Sequence, residues 1–159
     1  MKVTFRLSER HDAAALIALN RLVWNNDNAP ILNNYESTEN YLEKSPPGSE
    51  LLALCDDVIA GYFSYRSPIP LPANAHVAEL AIAVHPDYHG AGIAQALMME
   101  GEVWMRRLGK KKLSLRVMAT NARALSFYKK YGFLTQGVLP QEFYINGHYV
   151  DDVMMYKML

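Results

Sequence analysis

Gly90 and Gly92 lie where an apolar run gives way to a helical one, and glycines there can shape a backbone cradle for an anion. Upstream, His76 to Val84 (HVAELAIAV) is apolar and β-leaning, and Pro86 ends it by withholding a ladder donor. Downstream, Ile93, Ala96, Leu97, Glu100, Trp104 and Leu108 recur near helical spacing, and Gly109 offers a C-terminal stop. The two glycines let the chain bend so that successive N–H groups point inward, and the new helix adds its positive end. A strand–turn–helix of this kind suits phosphate, most readily a pyrophosphate. A Walker loop would need Gly-Lys-Ser/Thr, which does not follow. A dinucleotide fingerprint would need a third small residue where Gln95 stands.

A second element narrows the reading. Lys112 to Met118 (KLSLRVM) alternates as a strand, and the segment from Asn121 through Tyr128 to Gly132-Phe133 follows it. Asn121 is a good N-cap, Leu125 and Tyr128 share one side of the helix, and Gly132 stops it. His89-Gly90-Ala91-Gly92-Ile93-Ala94 resembles the acyl-CoA loop of the GNAT superfamily of N-acetyltransferases, Gln/Arg-x-x-Gly-x-Gly/Ala, with His89 departing at the first position. The Asn121–Phe133 segment resembles the same superfamily's Asn-x-x-Ala-x-x-x-Tyr…Gly-Phe element, in the right order and at a family-like separation.

The resemblance implies acetyl-CoA as co-substrate and transfer of its acetyl group to a primary amine. The backbone of Gly90, Ala91, Gly92, Ile93 and Ala94 would cradle the pyrophosphate, with His89 replacing the usual side-chain contact. Asn121 would reach the pantetheine arm, Lys130 the 3′-phosphate, and amides around Ile82, Ala83 and Val84 the thioester carbonyl. An amine of pKa about 10.4 is almost wholly protonated at neutral pH, so a base must act, most simply through water. Glu79 is the candidate, being the only carboxylate of the central strand and standing where the family often carries an acid. His85 and His76 are competing bases. Tyr128 stands where the family places the proton donor for the departing sulfur, while Tyr131 reads as packing.

The elements that must hold these residues give an α+β reading. Lys2 to Leu7 is a strand; His11 to Val23 is helical after a Ser8 cap; Trp24 to Asn34 is a loop; Glu36 to Lys44 is a short helix stopped by Pro46-Pro47-Gly48. Leu51 to Cys55 and Val58 to Arg66 form a hairpin about Asp56-Asp57, and Phe133 to Ile145 with His148 to Leu159 form another about Asn146-Gly147. The expected architecture is a mixed, mostly antiparallel twisted sheet of about six to seven strands with helices on both faces. The resemblance adds that the two central strands splay apart at the acyl-CoA site.

With 159 residues, residues 1–159 are expected to form a single domain. Sixteen basic residues balance sixteen acidic ones, which argues against nucleic acid as a main partner. One cysteine, Cys55, rules out an internal disulfide framework and fits a reducing cytoplasm. No apolar run reaches the roughly 18 residues of a membrane span, so neither a membrane anchor nor a signal peptide is expected. His85, Asp87 and His89 flank a proline turn and lack any metal-site spacing, so no metal is expected. A homodimer is compatible with the last hairpin's edge.

The acceptor is the open question. His76-Val77-Ala78-Glu79 resembles members that acylate free amino acids, whereas Gln141 to Tyr149 resembles the last hairpin of polyamine acetyltransferases and of members acting on protein N-termini. The acceptor is expected between the Trp24–Tyr41 region and that hairpin, where Asp27, Glu36, Glu39 and Glu142 could meet a cation. Three readings stand: an enzyme acting on a small primary amine, one acting on a peptide or protein N-terminus, and a non-catalytic acyl-CoA sensor.

Overall fold

Alternating and continuous apolar runs separated by turn residues fold into seven strands, and the sheet they form organises everything else. A computed structural model describes residues 1–30 and 35–159. The strands are β1 (Val3–Leu7), β2 (Glu50–Cys55), β3 (Val58–Arg66), β4 (Val77–Val84), β5 (Lys112–Met118), β6 (Leu134–Ile145) and β7 (His148–Met158). The helices are α1 (Ala13–Val23), α2 (Thr38–Lys44), α3 (Ile93–Arg107) and α4 (Ala122–Lys130). Sheet order is β1-β2-β3-β4-β5-β7-β6, antiparallel throughout except for the parallel pair β4–β5. This is the expected α+β sheet, with its seven strands.

Local chemistry sets the boundaries. Asp56 and Asp57 take positive φ angles of 48° and 68°, the handedness that lets a two-residue hairpin follow the strand twist. Gly109, at φ +80°, ends α3. Ser37 caps α2, its Oγ accepting from Asn40 N at 3.0 Å. The predicted Ser8 cap does not form. Ser8 is buried and bonds Glu50 through backbone and hydroxyl, while the cap falls one residue later at Glu9, whose N donates to Asp12 Oδ2 at 2.7 Å. A carboxylate held by Arg6 at 2.7 Å serves that position better than a hydroxyl needed in the core.

Each face of the sheet carries its own apolar layer. Phe63, Leu80, Leu97, Met98, Met105 and Leu115 belong to one core, under α3. A Cβ at Gly101 would lie 2.4 Å from the Phe63 ring, so glycine there is what lets α3 sit this close. Leu16, Ile17, Tyr41, Leu52, Tyr62 and Ala83 form the other, under α1 and α2. Cys55 is buried in the first core, and burial pushes its thiol up, as an inert core residue requires.

Between β4 and β5 the pairing stops early. Val77, Ala78 and Glu79 pair with Lys112, Leu113 and Ser114, and beyond that point no pair joins the two strands. Leu80–Val84 and Leu115–Met118 therefore diverge, opening the sheet at its centre.

Candidate active site

The divergence produces a wedge-shaped cleft of about 600 Å³. Leu80, Ile82 and Val84 line one wall, Leu115 and Val117 the other, and Asn121, Phe127 and Tyr128 of α4 close the far side. His85 N donates to Ala60 O at 2.8 Å, which fixes the alternation of the antiparallel β3–β4 ladder. Counting back, Ala83 and Ala81 turn their peptide groups toward β3, while Ile82 and Val84 turn theirs into the opening. The cleft thus has unpaired backbone donors along one wall.

At its mouth, Gly90 and Gly92 take φ of 79° and 80°, and a Cβ on either would meet no protein atom within 4 Å. Gly92 caps α3 without a side chain, and the first helical amide with a partner is Ala96 N on Gly92 O. The amides of Ile93, Ala94 and Gln95 remain for a ligand, at the positive end of a 15-residue helix. Open space, orphan donors and a helix dipole together fit a pyrophosphate.

Nine of the predicted residues line this cleft: Ile82, Val84, His89, Gly90, Gly92, Ile93, Ala94, Asn121 and Tyr128. Ala83 does not; it is buried against the α1 layer. Ala91 sits exposed at the turn, its amide on Tyr88 O. Lys130 also lies outside, its Nζ 5.8 Å from the Tyr131 ring centroid. Arg123 lines the cleft instead, a cation that the helical periodicity of α4 did not single out. Tyr131, read as packing, lines it too. His89 turns its Nε2 to Val84 O at 3.3 Å, bracing the loop against the strand it leaves.

Tyr128 packs its ring against Phe127 and Phe133, and its hydroxyl has no hydrogen-bond partner among the described residues. Burial raises the phenol above its ordinary value, so it stays protonated. Asn121 caps α4 with Oδ1, accepting from Ala124 N at 3.2 Å, which leaves its amide NH₂ to the cleft.

A second cavity, about 700 Å³, opens on the α1–α2 face of the sheet. Trp24, Asn28, Leu80, Ala81 and Arg116 line both cavities, so the two meet where the strands part. Trp24 is fixed there by a buried network: its Nε1 donates to Asn20 Oδ1 at 2.9 Å and Tyr62 OH at 3.0 Å, and Tyr62 OH donates to Asn20 at 2.6 Å.

Glu79 lines this second cavity and not the first, its side chain 14% exposed and its Oε2 accepting from Arg66 Nε at 2.6 Å. His85 and His76 line neither cavity; His85 is occupied in capping the Pro86–Tyr88 turn through Asp87 N at 3.0 Å. Of the four predicted acceptor carboxylates, only Glu142 reaches the cavity. Positions 31–34, part of the Trp24–Asn34 segment, lie outside the described residues. Sequence reasoning missed Glu50, which is 3% exposed, lines the cavity, and accepts a hydrogen bond from Tyr41.

The Acetyltransferase (GNAT) family model matches residues 16–133. The chain belongs to this family. It is a GNAT-family N-acetyltransferase, as the motifs had suggested. Among its relatives, the L-amino acid N-acetyltransferase AaaT of Escherichia coli (strain K12) is 31% identical over 74% of this chain and 72% of that protein. The spermidine N(1)-acetyltransferase of Vibrio cholerae is 35% identical over half of this chain and 46% of that protein. Among solved structures, smu.2055 from Streptococcus mutans UA159 superposes with a TM-score of 0.88 at 27% identity, covering 99% of both chains. A GNAT superfamily phosphinothricin acetyltransferase from Sinorhizobium meliloti, solved in complex with AcCoA, shares the fold at 21% identity with a TM-score of 0.87, over 100% of this chain and 89% of that one. Among the described residues of this GNAT acetyltransferase, no helix is long and apolar enough to cross a membrane.

Proposed function

We propose that this single-domain enzyme transfers an acetyl group from acetyl-CoA to a primary amine of a small molecule, by direct attack, in the cytoplasm. The observation that carries the reading is the junction of two cavities at Leu80 and Ala81. One cavity ends in orphan helix amides suited to phosphate; the other holds carboxylates suited to a cation. Acyl donor and amine would enter from opposite faces and meet in the split.

The thioester supplies an activated acyl group; the chain supplies everything else. Glu79 takes the proton of the incoming ammonium, through water where the reach is long. Its ion pair with Arg66 is partly screened, because the Arg66 side chain is 71% exposed while Glu79 is 14% exposed. Amides of Ile82 and Val84, aimed into the split, meet negative charge as it develops on the acyl oxygen. Tyr128, held protonated by burial, donates to the departing sulfur.

The test is release of free CoA from acetyl-CoA across a panel of diamines, polyamines, free amino acids, amino sugars and short peptides. Turnover with one small-amine class supports the assignment. Turnover only with peptides replaces it with an N-terminal acetyltransferase. Binding of acetyl-CoA without turnover on any amine refutes catalysis on small amines, and absence of binding refutes the cofactor assignment.

A further inference from the structure

We propose that Glu50 is the specificity residue of the acceptor cavity and holds a second ammonium group, so that the preferred acceptors are α,ω-diamines or longer polyamines. The inference rests on the small-amine reading above and names its substrate class.

The register of three strands supplies the geometry. Glu50 pairs with Ser64, and Ser64 pairs with Ala81, so the three stand in one row across β2, β3 and β4. Residues two apart along a strand share a face, which places Glu79 and Arg66 on the same side as that row. Ala81 is at the junction where the reacting nitrogen must arrive; Glu50 lies two strands away, about 10 Å at a spacing near 4.8 Å per strand. Subtracting a hydrogen bond of about 3 Å leaves about 7 Å, which roughly four to five methylenes span at about 1.2 Å per bond.

Charge in the cavity points the same way. Arg66 is committed to Glu79, Arg116 to Asp152 at 2.5 Å, and Lys44 lies over the Tyr35 ring at 5.4 Å. Glu50 has only the neutral Tyr41 hydroxyl on Oε1, and no donor among the described residues reaches Oε2. Titratable neighbours from the packed elements are Tyr41 and Lys44 of α2, Tyr62 of β3, and Tyr35. Were the carboxyl there only to tie α2 to β2, glutamine would accept the same Tyr41 bond without a buried charge. Burial indeed pushes the Glu50 carboxyl up from its ordinary range, so its ionisation costs the fold stability at neutral pH. A buried carboxyl that opposes stability and opens on a substrate cavity is poised for a cation.

The experiment measures kcat/KM for diamines of two to six carbons beside monoamines of equal length, in wild type, Glu50→Gln and Tyr41→Phe, with thermal melts at pH 7.5. Wild type is expected to peak at four to five carbons and to favour each such diamine over its monoamine about ten- to hundredfold, the worth of a charged buried hydrogen bond. Glu50→Gln should erase that preference through KM, with Tm equal to or above wild type. Tyr41→Phe should keep the preference. Monoamines or amino acids served as well as diamines by wild type would overturn the inference while leaving the acetyltransferase reading intact. So would a preference that survives Glu50→Gln. Failure to acetylate any amine would instead count against the reading beneath it.

Discussion

Replacing Tyr128 with Phe isolates one hydroxyl from everything else the ring does. The ring packs on Phe127 at 5.2 Å and Phe133 at 5.5 Å between centroids, contacts that phenylalanine keeps. The hydroxyl bonds no described residue, so its loss breaks no link of the fold. Substitutions of that kind change stability by within about 0.5 kcal/mol, which for a chain this size moves Tm by no more than about 2 °C. Loss of a positioned proton donor costs about 100- to 10,000-fold in turnover, and the lower figure already corresponds to about 2.7 kcal/mol. The catalytic effect therefore exceeds the structural one several-fold, and the two separate cleanly. Steady-state CoA release gives kcat, calorimetry gives acetyl-CoA affinity, and a melt gives Tm. We expect kcat to fall at least about 100-fold while affinity stays within about twofold. The pH dependence has a definite sign too. Burial disfavours the phenolate and moves the folded-state value upward from 10.0, so wild-type kcat should show no loss to Tyr128 ionisation anywhere below that value. A variant retaining a third or more of wild-type kcat would refute the assignment and leave Tyr128 as packing.

Three further outcomes follow from the same geometry. Glu79→Gln should lower kcat/KM by about 100-fold or more and alter the pH–rate profile, with acetyl-CoA affinity unchanged; an unaltered profile would move the base elsewhere. Gly92→Val should abolish acetyl-CoA binding by calorimetry, because its Cβ projects into the open cradle, and should also cost about 1–2 kcal/mol for a side chain at φ +80°. Retained binding would show that the phosphates lie elsewhere. Asp12, nearly buried and held by Arg6, has its carboxyl below the usual range, so its contribution is present above a pH of about 3.9 and is lost as pH falls through the folded value. Acid-titrated melts should accordingly show wild type losing more stability than Asp12→Asn between about pH 5 and pH 2, and parallel curves would discount the pair.

Local signals made most elements legible. Asp-Asp and Asn-Gly turns, the Gly109 stop and the Asn121 cap each act over a few residues, and strands β4 to β7 fall within a residue or so of their expected bounds. The backbone shape of the proposed cradle was legible for the same reason, since glycines at positive φ and a bare helix start are local requirements. Lys130 and Ala83 do not line the cleft, because a motif orders residues along the chain without giving their direction. The register turns Ala83 into the α1 layer, and Lys130, two turns along α4 from Arg123, does not line the cleft that Arg123 lines.

Glu50 shows the opposite limit. In sequence it is a charged residue at the edge of the apolar run Leu51–Cys55, where a solvated carboxylate is the ordinary expectation. Nothing in the residue types beside it in the chain reveals that it is 3% exposed. Its meaning depends on three non-local facts: Ser8 pairs with its backbone, Tyr41 comes down from α2 onto its side chain, and β3 carries the row from Glu50 to Ala81. Each depends on how separate elements pack, and none can be read from Glu50's immediate neighbours in the chain. The proposed phosphate cradle lies in a single strand–turn–helix, whereas the cavity proposed for the acceptor is lined from β2, β3, β4, β5, α2 and the last hairpin. A fold built this way can keep its acyl-donor chemistry fixed while its acceptor changes through single residues on separate strands. That is why the acceptor class has to be argued from register and charge rather than from any motif.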